Sequence, residues 1–444
     1  MTTEYVHDAA GDTAGSGPIP LNPAMPLEGA PEWSGATWVG MLDVAGIADD
    51  GRNPGSASEG TVTCVPLDAA GYRRARVLLR HGSAPIRFVD APIDDGLVRV
   101  PVAPYALPDL PSPASLPPVS VVVCTHERPG MLADALQSLQ RLDYPDYEVV
   151  VVDNAPRTDG TRHVVDALDD PRFRLVTEPV AGLSNARNAG LLAAAHDLVA
   201  YTDDDVVADT GWLLGLAQGF GRSPEIACVC GMVPSGELRT RSQVYFDWRV
   251  SWADSMRARV FSLAEPPTDL PLFPFQIGVY GTGANFAIRR DIALALGGFD
   301  EALGAGTRTR GGEDIDMFFR ILTAGHALAN EPDSIIWHRH RSTDGELLEQ
   351  SRGYGVGLGA WLTKVATDRR HLALALRVLR RRTRAVARAG AAYGAITRPP
   401  EGIADGVAAQ AGRREVLSVV GGPVALIRER LRGRRARPLA KAWS

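Results

Sequence analysis

The sequence predicts an α/β protein built on a doubly wound, mainly parallel sheet. Three observations carry this. Short β-branched runs recur at residues 119–124 (VSVVVC), 147–152 (YEVVVV) and 198–202 (LVAYT), continuous enough for strands buried on both faces. Stretches of helical spacing separate them, and strands alternating with helices make a parallel sheet. Polar residues stand just past the strand ends, at Thr125, Asp153 and Asp203, where open α/β sheets bind ligands.

The elements follow in order. Pro129 opens a helix whose apolar stripe is Leu132, Leu136 and Leu139. After the second strand comes a turn at residues 153–160, then a short helix with Val164, Val165 and Leu168. Residues 173–177 make a third strand. Residues 184–195 make a third helix, with Ser184 as the expected N-cap. The fourth strand ends at Thr202.

Around this core the composition shifts. Residues 1–32 are rich in Gly, Pro and Ala and are expected to be disordered. Residues 33–103 carry short apolar runs between turn residues and predict a small β-rich module. Residues 104–118 are proline-dense and read as a linker. The α/β domain is expected over 119–362, and a helical, basic extension over 363–444.

The chain has 444 residues, 45% of them hydrophobic and 22% charged, an ordinary globular composition. The net charge of −5 argues against a nucleic-acid partner. The charge is unevenly spread: residues 365–444 hold about eighteen Lys and Arg against about five Asp and Glu. Four cysteines, Cys64, Cys124, Cys228 and Cys230, make neither zinc-finger spacing nor a disulfide framework and predict a reducing compartment. No signal-peptide pattern opens the chain, and no run reaches the ~18 apolar residues of a membrane span. A cytoplasmic protein is expected, with peripheral contact to the inner face of the membrane through the basic extension.

Four motifs bear chemistry. Asp203-Asp204-Asp205 follows a strand directly. Clustered carboxylates repel unless a cation sits among them, and Mg²⁺ or Mn²⁺ would also neutralise phosphates; a solvated acidic turn is the alternative. Gly311-Gly312-Glu313-Asp314-Ile315-Asp316 opens a helix. Its acids suit the helix dipole, or one of them takes a proton from a hydroxyl. Trp337-His338-Arg339-His340 ends an apolar run, with both histidines on one side of a strand; either could complete a metal site with Asp205. Gly281-Thr282-Gly283-Ala284 is a small-residue loop, weak evidence alone.

Together these stretches resemble the GT-A fold glycosyltransferases of family 2. PPVSVVVCTHERP resembles the family's opening strand and nucleotide loop, and YEVVVVDNA its second strand. AGLSNARNAGL resembles the donor-side helix and YTDDD the metal-binding DxD; GTGANFAIRR, GGFDEALG, GGEDIDMFFR and IIWHRHR complete the order. The resemblance implies an inverting transfer of sugar from a nucleotide-diphosphate donor to an acceptor hydroxyl on a glycan, a lipid-linked molecule or a small molecule. It implies that Thr125 and Glu127 line the nucleotide pocket, that Asp153 binds the base, and that Arg187 lies near the nucleotide or diphosphate. Asp203 would face ribose or metal, Asp205 would bind Mn²⁺ or Mg²⁺, and His338 would be the late metal ligand, with His340 as the alternate. Asp314 would be the general base, with Glu313 beside it. One departure is Asp153-Asn154-Ala155-Pro156 in place of a DGS-type turn, which leaves base and ribose preference open. The rivals are a nucleotidyltransferase, whose usual Gly-rich basic loop THERPG lacks, and a catalytically inactive nucleotide-sugar-binding or scaffold protein.

Overall fold

The computed structural model describes residues 17–45, 60–102, 116–250, 252–253, 255–381 and 406–436. The first part is a six-stranded sheet of β1 (Ile19–Leu21), β2 (Trp38–Asp43), β3 (Thr61–Pro66), β4 (Arg74–His81), β5 (Ala84–Asp94) and β6 (Leu97–Pro101), in the order β1-β3-β6-β5-β4-β2. Its hairpins are fixed by local chemistry. Asp94 pairs with Leu97 around the two-residue loop Asp95-Gly96, both at positive φ, which matches the twist of the flanking strands.

This module starts earlier than expected. Ile19–Leu21 pairs in parallel with Cys64–Pro66, and Met25 is buried, so only residues 1–16 of the segment expected to be disordered lie outside the described residues. The prolines that suggested disorder fit an edge: β1 ends the sheet, where Pro20 costs no ladder bond. Most of the expected linker, residues 104–115, also lies outside the described residues.

The second part holds β7 (Val119–Thr125), α1 (Pro129–Gln140), β8 (Tyr147–Asn154), α2 (Gly160–Asp166), β9 (Phe173–Glu178), α3 (Leu183–Ala193), β10 (Leu198–Thr202), β11 (Val206–Ala208), α4 (Trp212–Gly221) and β12 (Ile226–Met232). It continues with α5 (Arg241–Val250), β13 (Arg259–Phe261), β14 (Asn285–Arg289), α6 (Arg290–Ala295), α7 (Glu313–Thr323), β15 (Ala327–His338) and α8 (Asp344–Thr367). The strands run β11-β15-β12-β14-β10-β7-β8-β9, with β13 on β15. Leu132, Leu136 and Leu139 of α1 pack on one face of β7–β8, and Ala186 and Leu191 of α3 on the other. Burial on both faces is why these strands read as unbroken Val runs.

The sheet is parallel from β10 to β9 and mixed beyond it. β14 runs antiparallel to β10 and β12. The chain enters β14 at Asn285, opposite Thr202 at the carboxyl end of β10, so it can only run back. Ser184 is not the cap of α3. The helix enters through Gly182, at φ +137°, and the Ser184 hydroxyl donates to the Leu303 carbonyl.

The two parts share an apolar seam of Met25, Val39 and Leu78 against Met232, Ile335 and Trp337. The basic extension continues α8 without a break at 362. It then forms α9 (Arg369–Arg381), α10 (Val407–Ser418) and α11 (Gly422–Ala436). α10 and α11 pack back on α8, where glycines let the backbones touch. A Cβ on Gly355 would lie 2.0 Å from the Glu415 carbonyl oxygen, and one on Gly359 2.0 Å from that of Val419. The four cysteines are free and buried. Among the described residues no helix is long and apolar enough to cross a membrane.

Candidate active site

A cavity of about 700 Å³ opens at the carboxyl ends of β7 and β10, the position the sheet topology dictates and a size suited to a small ligand. Asp203, Asp204 and Asp205 form its floor. The chain bends at Asp204 and Asp205, between β10 and β11, and the three carboxylates separate. Asp204 accepts from the Thr125 hydroxyl at 2.7 Å and from Arg128 at 3.1 Å, which ties β10 to β7.

Asp203 and Asp205 turn the other way, toward His338, with one ligand atom from each of the three within 4.8 Å of the others. Register brings them together: β11 begins right after Asp205 and pairs Val206 with His338 at the end of β15. The His338 Nε2 stands 3.4 Å from an Asp205 oxygen, while its Nδ1 lies 3.1 Å from Nδ1 of His340. His338 is therefore the histidine on the carboxylates and His340 the one behind it. Burial lowers the His338 pKa against the pull of Asp205, which favours the neutral ring that can ligate a metal. Burial pushes the Asp203 carboxyl up to about 7, against the pull of Arg187. Arg128 and Arg341, each 3.4 Å from Asp205, supply positive charge here; neither was singled out from the sequence, because only folding brings them to the acids.

The small-residue loop ties two motifs together. The backbone N–H of Gly283 donates to Asp314 Oδ2 at 2.9 Å, and its carbonyl accepts from Arg187 at 2.9 Å. A Cβ there would lie 2.7 Å from the Arg187 guanidinium, so a side chain at 283 would push that arginine aside. Asp314 and Glu313 open α7 behind Gly312, at φ +93°. They differ sharply. Glu313 is buried and paired with Arg187 at 3.0 Å, and burial followed by the Asp314 charge raises its pKa to about 7. Asp314 faces the cavity, oriented by two backbone N–H groups, Gly283 and Ile315.

The expected nucleotide end is only partly assembled. Thr125 and Arg187 line the cavity, whereas Glu127 and Asp153 do not. Glu127, at φ +55°, accepts from the N–H groups of Arg157 and Thr158 and pins the turn after β8. Asp153 is buried at the end of β8, its pKa raised by burial, and its Oδ1 has no hydrogen-bond partner. Asn154 does line the cavity. It knits β8 to the entry of α3, donating to the Val180 carbonyl and accepting from Gly182 N–H. The opposite wall was not read from the sequence. It comes from Phe246 and Trp252 near α5, Tyr354 of α8 and Glu415 of α10.

Residues 120–296 match the family model "Glycosyl transferase family 2". The chain is 28% identical over 260 residues to the pre-mycofactocin glycosyltransferase of Mycobacterium tuberculosis, covering 57% of this chain and 49% of the relative. It is 27% identical over 196 residues to the glucosyl-dolichyl phosphate glucuronosyltransferase of Haloferax volcanii, covering 42% and 57%. Among solved structures, the mannosyltransferase PcManGT from Pyrobaculum calidifontis, in complex with GDP-Man and Mn²⁺, is similar at 22% identity with a TM-score of 0.46, covering 71% of this chain and 89% of that one. The chain spans about half the length of the curated relatives it matches. In motif order, sheet and family match, residues 120–296 are thus similar to the family 2 glycosyltransferases.

Proposed function

We propose that the protein is an inverting hexosyltransferase that moves a sugar from a nucleotide-diphosphate donor to an acceptor hydroxyl. The observation that carries this reading is a cavity shared by an Asp-Asp-His cluster and a separately held carboxylate, Asp314. Two carboxylate oxygens and an imidazole nitrogen suit Mn²⁺ or Mg²⁺. The His338 ring, set by His340 with its Nε2 toward Asp205, fits that role. A divalent ion held by Asp203, Asp205 and His338 would neutralise charge on the donor diphosphate.

The remaining roles belong to the chain itself. Asp314 takes the proton of the acceptor hydroxyl. The acceptor oxygen bonds to the anomeric carbon as the bond to the diphosphate oxygen breaks on the far side, and the nucleoside diphosphate leaves with that electron pair. One displacement inverts the centre and needs no nucleophile on the protein. Glu313 is the less suited base, because its carboxylate is engaged by Arg187. Arg187, anchored to Glu313 and Gly283, stands 3.8 Å from Asp203 and holds the donor side of the floor in place. Four free cysteines fit the reducing cytoplasm as the location.

The test is a thermal-shift screen of nucleotide sugars with and without Mn²⁺, since a ligand that binds only the native state raises its stability. A shift that needs both, together with release of the nucleoside diphosphate, is expected. Asp205→Ala should lower Mn²⁺ affinity by more than about 100-fold in titration calorimetry with an unchanged far-UV spectrum. Full turnover in excess chelator overturns the metal assignment. Release of pyrophosphate instead favours a nucleotidyltransferase, and binding with no release at all favours an inactive binder.

A further inference from the structure

The outer surface of the C-terminal helices is apolar where solvent should make it polar. On α10, α11 and the turn between them, Leu417, Val420, Val424, Ile427 and Leu431 are all exposed, Leu417 by 73% and Val420 by 80%. Their spacing alternates three and four residues, so they form one stripe. This is not the packing face: Ala411 and Leu426 are the residues buried on the inner side. α9 repeats the pattern, with Leu372, Leu376 and Leu379 outward and Ala375 turned in against Trp361 and Phe319. Contiguous exposed apolar surface of this kind marks an interaction site.

Charge identifies the partner. The same helices carry Arg369, Arg370, Arg377, Arg380, Arg413, Arg428 and Arg432, all exposed. Their carboxylates among the described residues are Glu415 and Glu429, and both are drawn inward. Glu415 pairs with Arg249 at 2.8 Å, and Glu429 accepts from the Arg308 backbone at 3.1 Å. What faces outward is thus apolar residues flanked by an excess of positive charge, with Arg432 3.9 Å from Glu429. A second copy of the chain would set arginine against arginine along the stripe. An anionic lipid surface accepts both features, taking up the leucines at the acyl boundary and pairing the guanidinium groups with headgroups.

We propose that the outer face of α10 and α11 forms a docking surface for an anionic membrane. Glu415 lines the cavity and precedes Val416 of the exposed face, so docking brings the α8–α10 wall of the cavity to the headgroup layer. The proposal rests on the surface alone and stands whether or not the cavity transfers sugar.

The test is sedimentation of the full chain with vesicles of phosphatidylcholine alone or mixed with phosphatidylglycerol. Binding is expected only to the anionic vesicles, and to be lost at 1 M NaCl, where the Debye length is about 3 Å. Leu417→Glu with Val420→Glu should weaken binding by about tenfold or more, and Arg413→Gln with Arg428→Gln by a similar factor. Neither pair should alter the melting temperature, the mass by light scattering or Mn²⁺ affinity. No binding to anionic vesicles, or equal binding by the Leu417/Val420 pair, overturns the proposal. A dimer that the pair dissolves assigns the face to a second copy. A large loss of melting temperature in the pair assigns it to another segment of this chain. Failure of donor binding with vesicle binding intact would sink the transferase reading and leave this one standing.

Discussion

The two sheets are made of similar residues and treat charge in opposite ways. In the N-terminal sheet every fully buried side chain among the described residues is hydrophobic, from Leu21 to Val100. In the larger sheet the carboxyl ends bury Thr125, Asp153, Asn154, Asp204, Asp205 and His338. Burying a carboxylate costs several kcal/mol unless something offsets it. Arg128, Arg341 and Thr125 offset part of that cost here. Buried acids cluster at this rim and are absent among the described residues of the N-terminal sheet. The N-terminal sheet is a brace instead: Met25 and Leu78 press on Trp337, one residue before His338.

The largest test of this contrast is Asp314→Asn. It keeps the shape and removes the basicity, so kcat should fall roughly 10²–10⁴-fold with donor affinity nearly unchanged. Wild-type turnover in that variant, with loss in Glu313→Gln, would move the base to Glu313. In the brace the expected effect is on stability. Leu78→Ala removes a fully buried side chain from the seam and should cost about 2–5 kcal/mol in chemical denaturation, leaving kcat of the folded protein unchanged. A fall in kcat at retained fold would make the module part of the catalytic apparatus.

The smallest test concerns an acid pair of the larger sheet away from the cavity. Burial, followed by the charge of Glu331, raises the Asp333 pKa to about 6, above the ordinary carboxylate value. The folded state therefore favours the neutral form. The resulting cost is absent below about pH 4, grows as pH rises through 6 and is fully present above it. Asp333→Asn should raise stability by about 1–2 kcal/mol at pH 8 and leave it unchanged near pH 4. An equal effect at both pH values would mean that packing, not charge, sets it.

How much of this could be read from the sequence follows from what is local. β7, β8 and β10 are legible because strands buried on both faces leave unbroken Val runs, and the acids at 203–205 because they directly follow such a strand, at the edge where open α/β sheets bind ligands. The choice between His338 and His340 was not, since it depends on the pairing of Val206 with His338 across two distant strands. Glu127 was placed in the nucleotide pocket by resemblance, yet its left-handed backbone turns it to cap the turn at Arg157 and Thr158. β1 hid behind prolines that an edge strand tolerates. The wall of Phe246, Trp252, Tyr354 and Glu415 left no motif, because α5, α8 and α10 meet only in three dimensions.

The glycines of α8 set the timing of assembly. Gly353, Gly355, Gly357 and Gly359 each weaken an isolated helix by about 1 kcal/mol relative to alanine, so α8 has little reason to form alone. What holds it is contact on two sides: residues 310–312, which precede it, and residues 415–422, made about sixty residues after Gly355. On the ribosome, Asp203, Asp205, Asp314 and His338 exist well before the second of these two contacts. A chain halted between α9 and α10 would carry these side chains without the contact at residues 415–422 that α8 leans on.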